Sequence, residues 1–495
     1  MHEVRRGSAI RWTATAGIGL GAGVVLARKR ARDGPVRGAS RLTRGAEVGR
    51  LAGRLGAATA TNRAKRIFAS AERATALDAA LQVQTAEEVA TALGNMKGVL
   101  MKVGQLASFV DDGMPEPVRQ ALAQLQSDAP PMSGDLAAQV IERELGSPPD
   151  RLFHEWDPLP IAAASIGQVH RAITHDDLAV AVKVQYPGVE QAIRADLDAF
   201  DMAMFPAPAL YKNFDAKPFI DEIRTRVGEE LDYRIEAANQ RLFADWYRGH
   251  PFIHVPDVVD RFSSRCVLTT ELAIGARFAA LEGWAQTERD LAAEAIFRFV
   301  FRSLYRMRAF NGDPHPGNYL FRPGGRVTFL DFGLVKRYSE TDLDQLTGLA
   351  HAMALGDKAR LRRASEEAGY YPPGAPVSDE EVWDYSMAFW EMVRRDEPFR
   401  VTPAYASDVV RRFFLGRATH GDAVKWANMP ARWVVLQRIN VGLIAILGRL
   451  GAEANWRQIA EEMWPFSDRA PSTALGEEEA TWWASRRSSV TTVQN

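Results

Sequence analysis

Between residues 85 and 110, Leu93, Met96, Leu100, Val103, Ala107 and Val110 recur every three or four positions, the spacing of one apolar helical face. The proline-broken stretch SDAPPMSG, residues 127–134, interrupts that pattern and marks a boundary. A short helix over 133–145 follows, and then the period drops to two. IAAASIGQVHRAI (161–173) and LAVAVKVQYPG (178–188), separated by the turn-like THDD, predict a β-hairpin. Residues 219–247 read as one long charged helix, 254–272 as two more strands and 288–308 as an apolar helix, and most of 340–464 keeps helical spacing. Residues 467–495, rich in Ser, Thr, Glu and Ala, read as a disordered tail in which Trp482 and Trp483 are the residues able to dock. The order predicts an α+β chain: a helical extension (33–132), a small-sheet lobe (133–275), a helical lobe (276–466) and a cleft between the lobes.

Composition narrows the function classes. The 495 residues carry 61 Lys and Arg against 62 Asp and Glu, so net charge gives no reason to expect a nucleic-acid partner. A single cysteine, Cys266, excludes an intramolecular disulfide and a cysteine-rich zinc site, which suits a reducing cytosol. Beside Val267 and Leu268 it reads as a small hydrophobe. Near the N-terminus, residues 12–27 are uncharged, with Arg5, Arg6 and Arg11 before them and Arg28, Lys29, Arg30 and Arg32 after. Those 16 residues fall short of the roughly 20 that cross a bilayer. A tilted anchor, a helix lying on anionic lipid, an export signal and an unstructured extension all fit, with export ranked last. The expectation is a cytoplasmic protein able to associate with membrane through 1–32.

Candidate chemistry gathers in NGDPHPGNYLFRPGGRVTFLDFG, residues 311–333. Phosphoryl transfer needs hard oxygen ligands for a divalent cation and a carboxylate that orients or deprotonates the acceptor. Asp313 stands five residues before Asn318, and Asp331-Phe332-Gly333 forms a D-F-G turn, the spacings of a catalytic loop and a metal-binding aspartate. Upstream, Val180-Ala181-Val182-Lys183 has the form of the strand whose lysine meets nucleotide phosphates. Glu230, Asp232 and Glu236 on the predicted 219–247 helix are candidate partners for Lys183, and the i,i+4 spacing puts Asp232 and Glu236 on one face. Ala162, Ala163, Ala164, Ser165, Gly167 and Val169 occupy the register of a glycine-rich nucleotide loop, with alanine at the first two glycine positions. Taken singly, each motif has a bland counterpart: a buried strand end, a solvated acidic face, a chance D-F-G. Their order and joint spacing carry the reading. His170 and His315 lack an i,i+4 partner and read as structural.

With MKVGQ (101–105), AAASIGQVH, VAVKVQYPGV, EELDYRIEAAN and DPHPGN followed by LDFG, the chain resembles the UbiB family of atypical kinase-like proteins over about residues 93–450. The resemblance implies a two-lobed protein-kinase-like fold, ATP and magnesium binding, atypical kinase or ATPase activity, and a supporting role in isoprenoid quinone or lipid metabolism at membranes. It also implies a lipid or quinone-precursor partner and contacts with quinone-pathway proteins. By position, Lys183 would bind phosphates and pair with Glu236, Asp313 would take the catalytic-loop role, and Asn318 and Asp331 would hold the metal. Lys102 and Gln105 would lie over the site and meet Glu230 and Asp232.

The sequence departs from ordinary kinases in two places. Asn311-Gly312 replaces a His-Arg pair before the aspartate, and SETDLDQLTGL follows Gly333 with no A-P-E motif. INVGLIAILG (439–448) is too short to supply a membrane hairpin. Two other functions fit the same residues: a small-molecule phosphotransferase, which gives no reason for Lys102 and Gln105, and a nucleotide-gated scaffold, which could dispense with Asp313.

Overall fold

The computed structural model describes residues 132–164, 166–191, 193–194, 228–415, 426–428 and 430–493. The expected membrane-associating segment 1–32, the extension 33–132 up to its last residue, Lys102, Gln105 and Ser165 lie outside the described residues.

Helix α1 (Gly134–Leu145) begins where the Ser133 hydroxyl accepts from the Leu136 amide. It ends at Gly146, whose φ of 78° is the left-handed conformation that glycine adopts freely. Its buried residues Ala137, Val140 and Ile141 pack on the first sheet, built from β1 (Glu155–Ala164), β2 (Gly167–Ile173), β3 (Ala179–Gln185) and β5 (Val267–Glu271). These run antiparallel in the order β1-β2-β3-β5. The run expected to form one strand of a hairpin is itself a hairpin, turning between Ala164 and Gly167. Along β3, Val180, Val182 and Val184 are fully buried, so period-two alternation sends Lys183 to the opposite face.

Helix α2 (Tyr233–Trp246) joins the two cores. Tyr233 and Ala237 pack in the core of the small-sheet lobe, whereas Phe243 and Ala244 pack in that of the helical lobe. The chain reaches the second core well before the boundary expected after residue 275. Phe252, Ile253 and Val255 are buried there, and β4 (Ile253–His254) pairs in parallel with β9 (Arg326–Phe329). With β6 (Ala276–Arg277) and β8 (Tyr319–Arg322) these strands form a second sheet in the order β4-β9-β8-β6.

The helical part of this lobe comprises α3 (Gln286–Arg302), which packs on β9, α4 (Glu340–Leu355), α5 (Lys358–Glu367), α6 (Asp379–Arg394), α7 (Pro403–Leu415) and α8 (Ala431–Leu450). The start of α4 is capped on both sides: Ser339 and Asp342 form a reciprocal capping box. The fold is the expected two-lobed, kinase-like α+β arrangement.

Two expectations are corrected. The 467–495 stretch is not disordered where described: α9 (Ala474–Val493) docks on α3 through ion pairs of Arg298 and Arg302 with Glu479. INVGLIAILG forms part of a 20-residue helix, α8. Among the described residues, 432–450 is the one helical stretch long and apolar enough to cross a membrane, yet two thirds of it is buried, with Trp433, Ile439, Leu443 and Leu447 in the second core.

Candidate active site

The strand β3 and helix α2 bring Lys183 and Glu236 together across 53 positions of sequence. Lys183 Nζ donates to both Glu236 oxygens, at 2.7 and 2.9 Å, and lies 3.5 Å from Asp331 Oδ2. Burial disfavours the ammonium, but the negative charges of Asp331 and Glu236 outweigh it and hold the lysine pKa above its ordinary value. The ammonium also sits 5.0 Å from the centre of the Tyr233 ring, whose hydroxyl burial keeps protonated. Gly167 closes this corner. A Cβ there would lie 2.2 Å from the Val184 carbonyl oxygen and 3.0 Å from the Tyr233 hydroxyl, so the turn from β1 into β2 accepts only glycine at that point. Ala162, Ala163 and Ala164 end β1 opposite Val169, Gln168 and Gly167, and Val169 pairs in turn with Lys183.

The loop bearing Asp313 is braced from several sides. β7 (Ala309–Asn311) pairs with β10 (Val335–Arg337), setting the Asp313 and Asp331 loops side by side. Asn311 ties them: its Nδ2 donates to the Asp331 carbonyl at 2.7 Å and its Oδ1 accepts from the Asp313 amide at 3.3 Å. Gly312 donates its amide to the Leu334 carbonyl, and a Cβ there would lie 2.8 Å from Leu334 Cγ. His315 Nδ1 accepts from the Gly317 amide and caps the turn Pro316–Asn318, the structural role expected of it. His170 is structural too, stacked on Trp156 and bonded to Gln168 and the Asp157 carbonyl, with its pKa lowered by burial.

Asn318 Nδ2 donates to the Asp313 carbonyl and to Asp313 Oδ2, each at 3.1 Å. With its amide nitrogen so occupied, Oδ1 is the Asn318 atom suited to a cation. Asp331 Oδ1 accepts from the Gly333 amide at 2.9 Å. The D-F-G turn is fixed from behind by fully buried Phe332, 5.0 Å from Phe243, and by Asn239 Nδ2 donating to the Phe332 carbonyl. Among the described residues no group of three or more His, Cys, Asp or Glu is placed to hold a metal ion. The oxygens present, Asn318 Oδ1 and the Asp331 carboxylate, are of the hard type that magnesium takes, its shell being completed by water and nucleotide phosphates.

Of the three acidic candidates, Glu236 holds Lys183, and Asp232 bonds Arg234 instead. Asp232 is not inside a continuous helix: it is the N-cap of α2, accepting from the Arg234 amide, and the Arg234 guanidinium holds its carboxyl below the usual range. Glu230 ends a short helical stretch, 228–230, ahead of the break before α2. The partners expected for both, Lys102 and Gln105, lie outside the described residues. Sequence reasoning missed Asn311, Asn239 and Arg438. Arg438, on α8, donates from Nη2 to Asp313 Oδ1 at 3.0 Å. One turn on, Gly442 lets the helix rest on the loop, since a Cβ there would lie 2.3 Å from Pro314 Cγ. A glycine inside an apolar helical run was the available signal.

Residues 124–365 match the family described as "ABC1 atypical kinase-like domain". Among curated proteins, a rat mitochondrial atypical kinase, COQ8B, is 29% identical over 333 residues, covering 66% of this chain and 62% of the relative. A probable protein kinase UbiB from Xylella fastidiosa is 29% identical over 303 residues, covering 59% and 55%. The chain therefore spans less than two thirds of the length of these relatives. A solved structure from Mycobacterium tuberculosis, the complex of Rv3197 with erythromycin, is 32% identical with a TM-score of 0.57, covering 79% of this chain and 98% of that one.

Proposed function

The chain belongs to the UbiB family of atypical kinase-like proteins, and on that premise we propose that it binds magnesium-ATP in the cleft and hydrolyses it or transfers its γ-phosphoryl group, in support of isoprenoid quinone or lipid metabolism. The observation that carries the reading is the convergence of Lys183, Glu236, Asp313, Asn318 and Asp331, from five separated positions, on one braced constellation.

Lys183, held by Glu236, supplies a fixed positive charge for the nucleotide's phosphates. Asn318 and Asp331 would hold magnesium, which neutralises charge on the phosphate oxygens. Asp313 is fixed on both oxygens, by Asn318 and Arg438, and so is set to orient a water or hydroxyl acceptor. Ala162, Ala163 and Ala164 place methyl groups where a glycine loop would approach the phosphates, which favours nucleotide handling unlike that of ordinary kinases. Lys102 and Gln105 are proposed to cover the acceptor side of this cleft, next to Glu230 and Asp232. Membrane association through residues 1–32, with a lipid or quinone precursor as partner, completes the reading.

The test is phosphate release from magnesium-ATP by the full chain, with and without anionic liposomes, beside Asp313→Asn. Release that falls at least tenfold in the variant supports the enzyme. Binding without release under every condition would instead favour a nucleotide-gated scaffold.

A further inference from the structure

We propose that Arg438, 125 residues beyond Asp313 in sequence, is a positioning residue that fixes the Asp313 carboxylate for phosphoryl transfer. The proposal rests on the enzymatic reading above. The catalytic loop itself offers Asp313 no cationic partner, because Asn311 and Gly312 precede it and Pro314 and His315 follow, with His315 Nδ1 engaged by the Gly317 amide. Helix α8 supplies the charge instead. Arg438 Nη2 lies 3.0 Å from Asp313 Oδ1, and the two side chains are only 15% and 12% exposed, so water screens the pair weakly.

The geometry leaves the carboxylate little freedom. Oδ1 is held by Arg438 and Oδ2 by Asn318 Nδ2, so rotation of the group would break one bond or the other. The helix is held to the loop independently, because Gly442 lies one turn from Arg438 and brings the α8 backbone against Pro314. A guanidinium is also the cation suited to this place. It presents several N–H donors in a rigid fork, whereas a lysine offers a point charge on a flexible stem. Among the described residues Arg438 Nε is buried and has no hydrogen-bond partner, so the fork keeps a donor beyond the one that Asp313 uses.

The experiment compares Arg438→Gln, Arg438→Lys, Asp313→Asn and the Arg438→Gln/Asp313→Asn double variant in the full chain. Steady-state phosphate release is read alongside urea unfolding. The expected result is a fall of at least tenfold in kcat for Arg438→Gln with KM for ATP changed less than threefold, and partial recovery in Arg438→Lys. Adding Arg438→Gln to Asp313→Asn should lower kcat no further. An unchanged kcat in Arg438→Gln, an equal further loss in the double variant, or a tenfold rise in KM without a change in kcat would each overturn the proposal. If the wild-type chain binds magnesium-ATP but neither it nor any variant releases phosphate, the enzymatic reading fails on its own evidence. Coupled unfolding of Arg438→Gln and Asp313→Asn would then leave the pair a structural contact, and the positioning role would fall with it.

Discussion

Lys183 stands between two carboxylates that do different work. Glu236 takes its ammonium at 2.7 and 2.9 Å and is itself only 7% exposed, so that pair is built into the junction of β3 and α2. Asp331 is 3.5 Å away and 30% exposed, close enough to feel the lysine charge and open enough to bind something else. That difference supports the proposed division of roles, with Glu236 holding the lysine and Asp331 open to a cation. Asp331→Asn keeps the size and the acceptor for the Gly333 amide but removes the charge. It should abolish the part of ATP binding that depends on magnesium while leaving the melting temperature of the nucleotide-free chain within a few degrees. A thermal-shift titration with ATP, with and without magnesium, makes the comparison. Undiminished magnesium-ATP affinity in the variant would remove Asp331 from the metal site.

At the scale of elements, the site depends on contacts between parts of the chain that carry no signal of each other. The alternation along β3 was enough to place Lys183 on the face opposite the Val180 and Val182 core, and the five-residue step from Asp313 to Asn318 was enough to pair them. Both are local properties, so sequence reasoning reaches them. The start of α2 was misjudged because a charged run of good helix formers extends upstream, while the backbone breaks at Leu231 and Asp232 and restarts from the Asp232 cap. Nothing in residues 431–450 taken alone shows that α8 lies across the Asp313 loop, because that contact is a matter of packing. Gly442 provides the test. In Gly442→Ala the new methyl would sit 2.3 Å from Pro314 Cγ, against a ring that cannot swing aside. The substitution improves helix propensity by about 1 kcal/mol, yet overpacking costs about 1–3 kcal/mol. We expect lower stability and a fall of at least tenfold in phosphate release, with helical content by circular dichroism unchanged. Full activity in a folded Gly442→Ala chain would show that α8 need not touch the loop.

Across the whole molecule, the C-terminal helix closes the larger lobe through charge as much as apolar area. Arg298 is fully buried and bonds Glu294 at 2.7 Å, Glu462 at 2.8 Å and Glu479 at 3.0 Å, while Arg302 also reaches Glu479 at 3.0 Å. Leu475 enters the second core, Trp482 meets His250 edge-on at 4.6 Å, and Trp483 lies 5.8 Å from Trp246. A composition of Ser, Thr, Glu and Ala suggests disorder because hydrophobic patterning does not register buried ion pairs; the two tryptophans were the legible part. Burial by itself would raise the Glu479 pKa. His250 at 3.7 Å, Arg302 and Arg298 reverse that and hold it at about 2, against an ordinary 4.5. A folded-state pKa below the unfolded one stabilises the fold above about pH 4.5, and the contribution drains away as pH falls toward about 2. The shift corresponds to about 3 kcal/mol at neutral pH. Glu479→Gln should therefore unfold at lower urea than the wild type at pH 7, and the difference between the two should shrink steadily below pH 4.5. A difference that stays constant from pH 7 down to pH 3 would mean that Glu479 serves α9 by shape alone, and that the helix is held by Leu475 and the tryptophans.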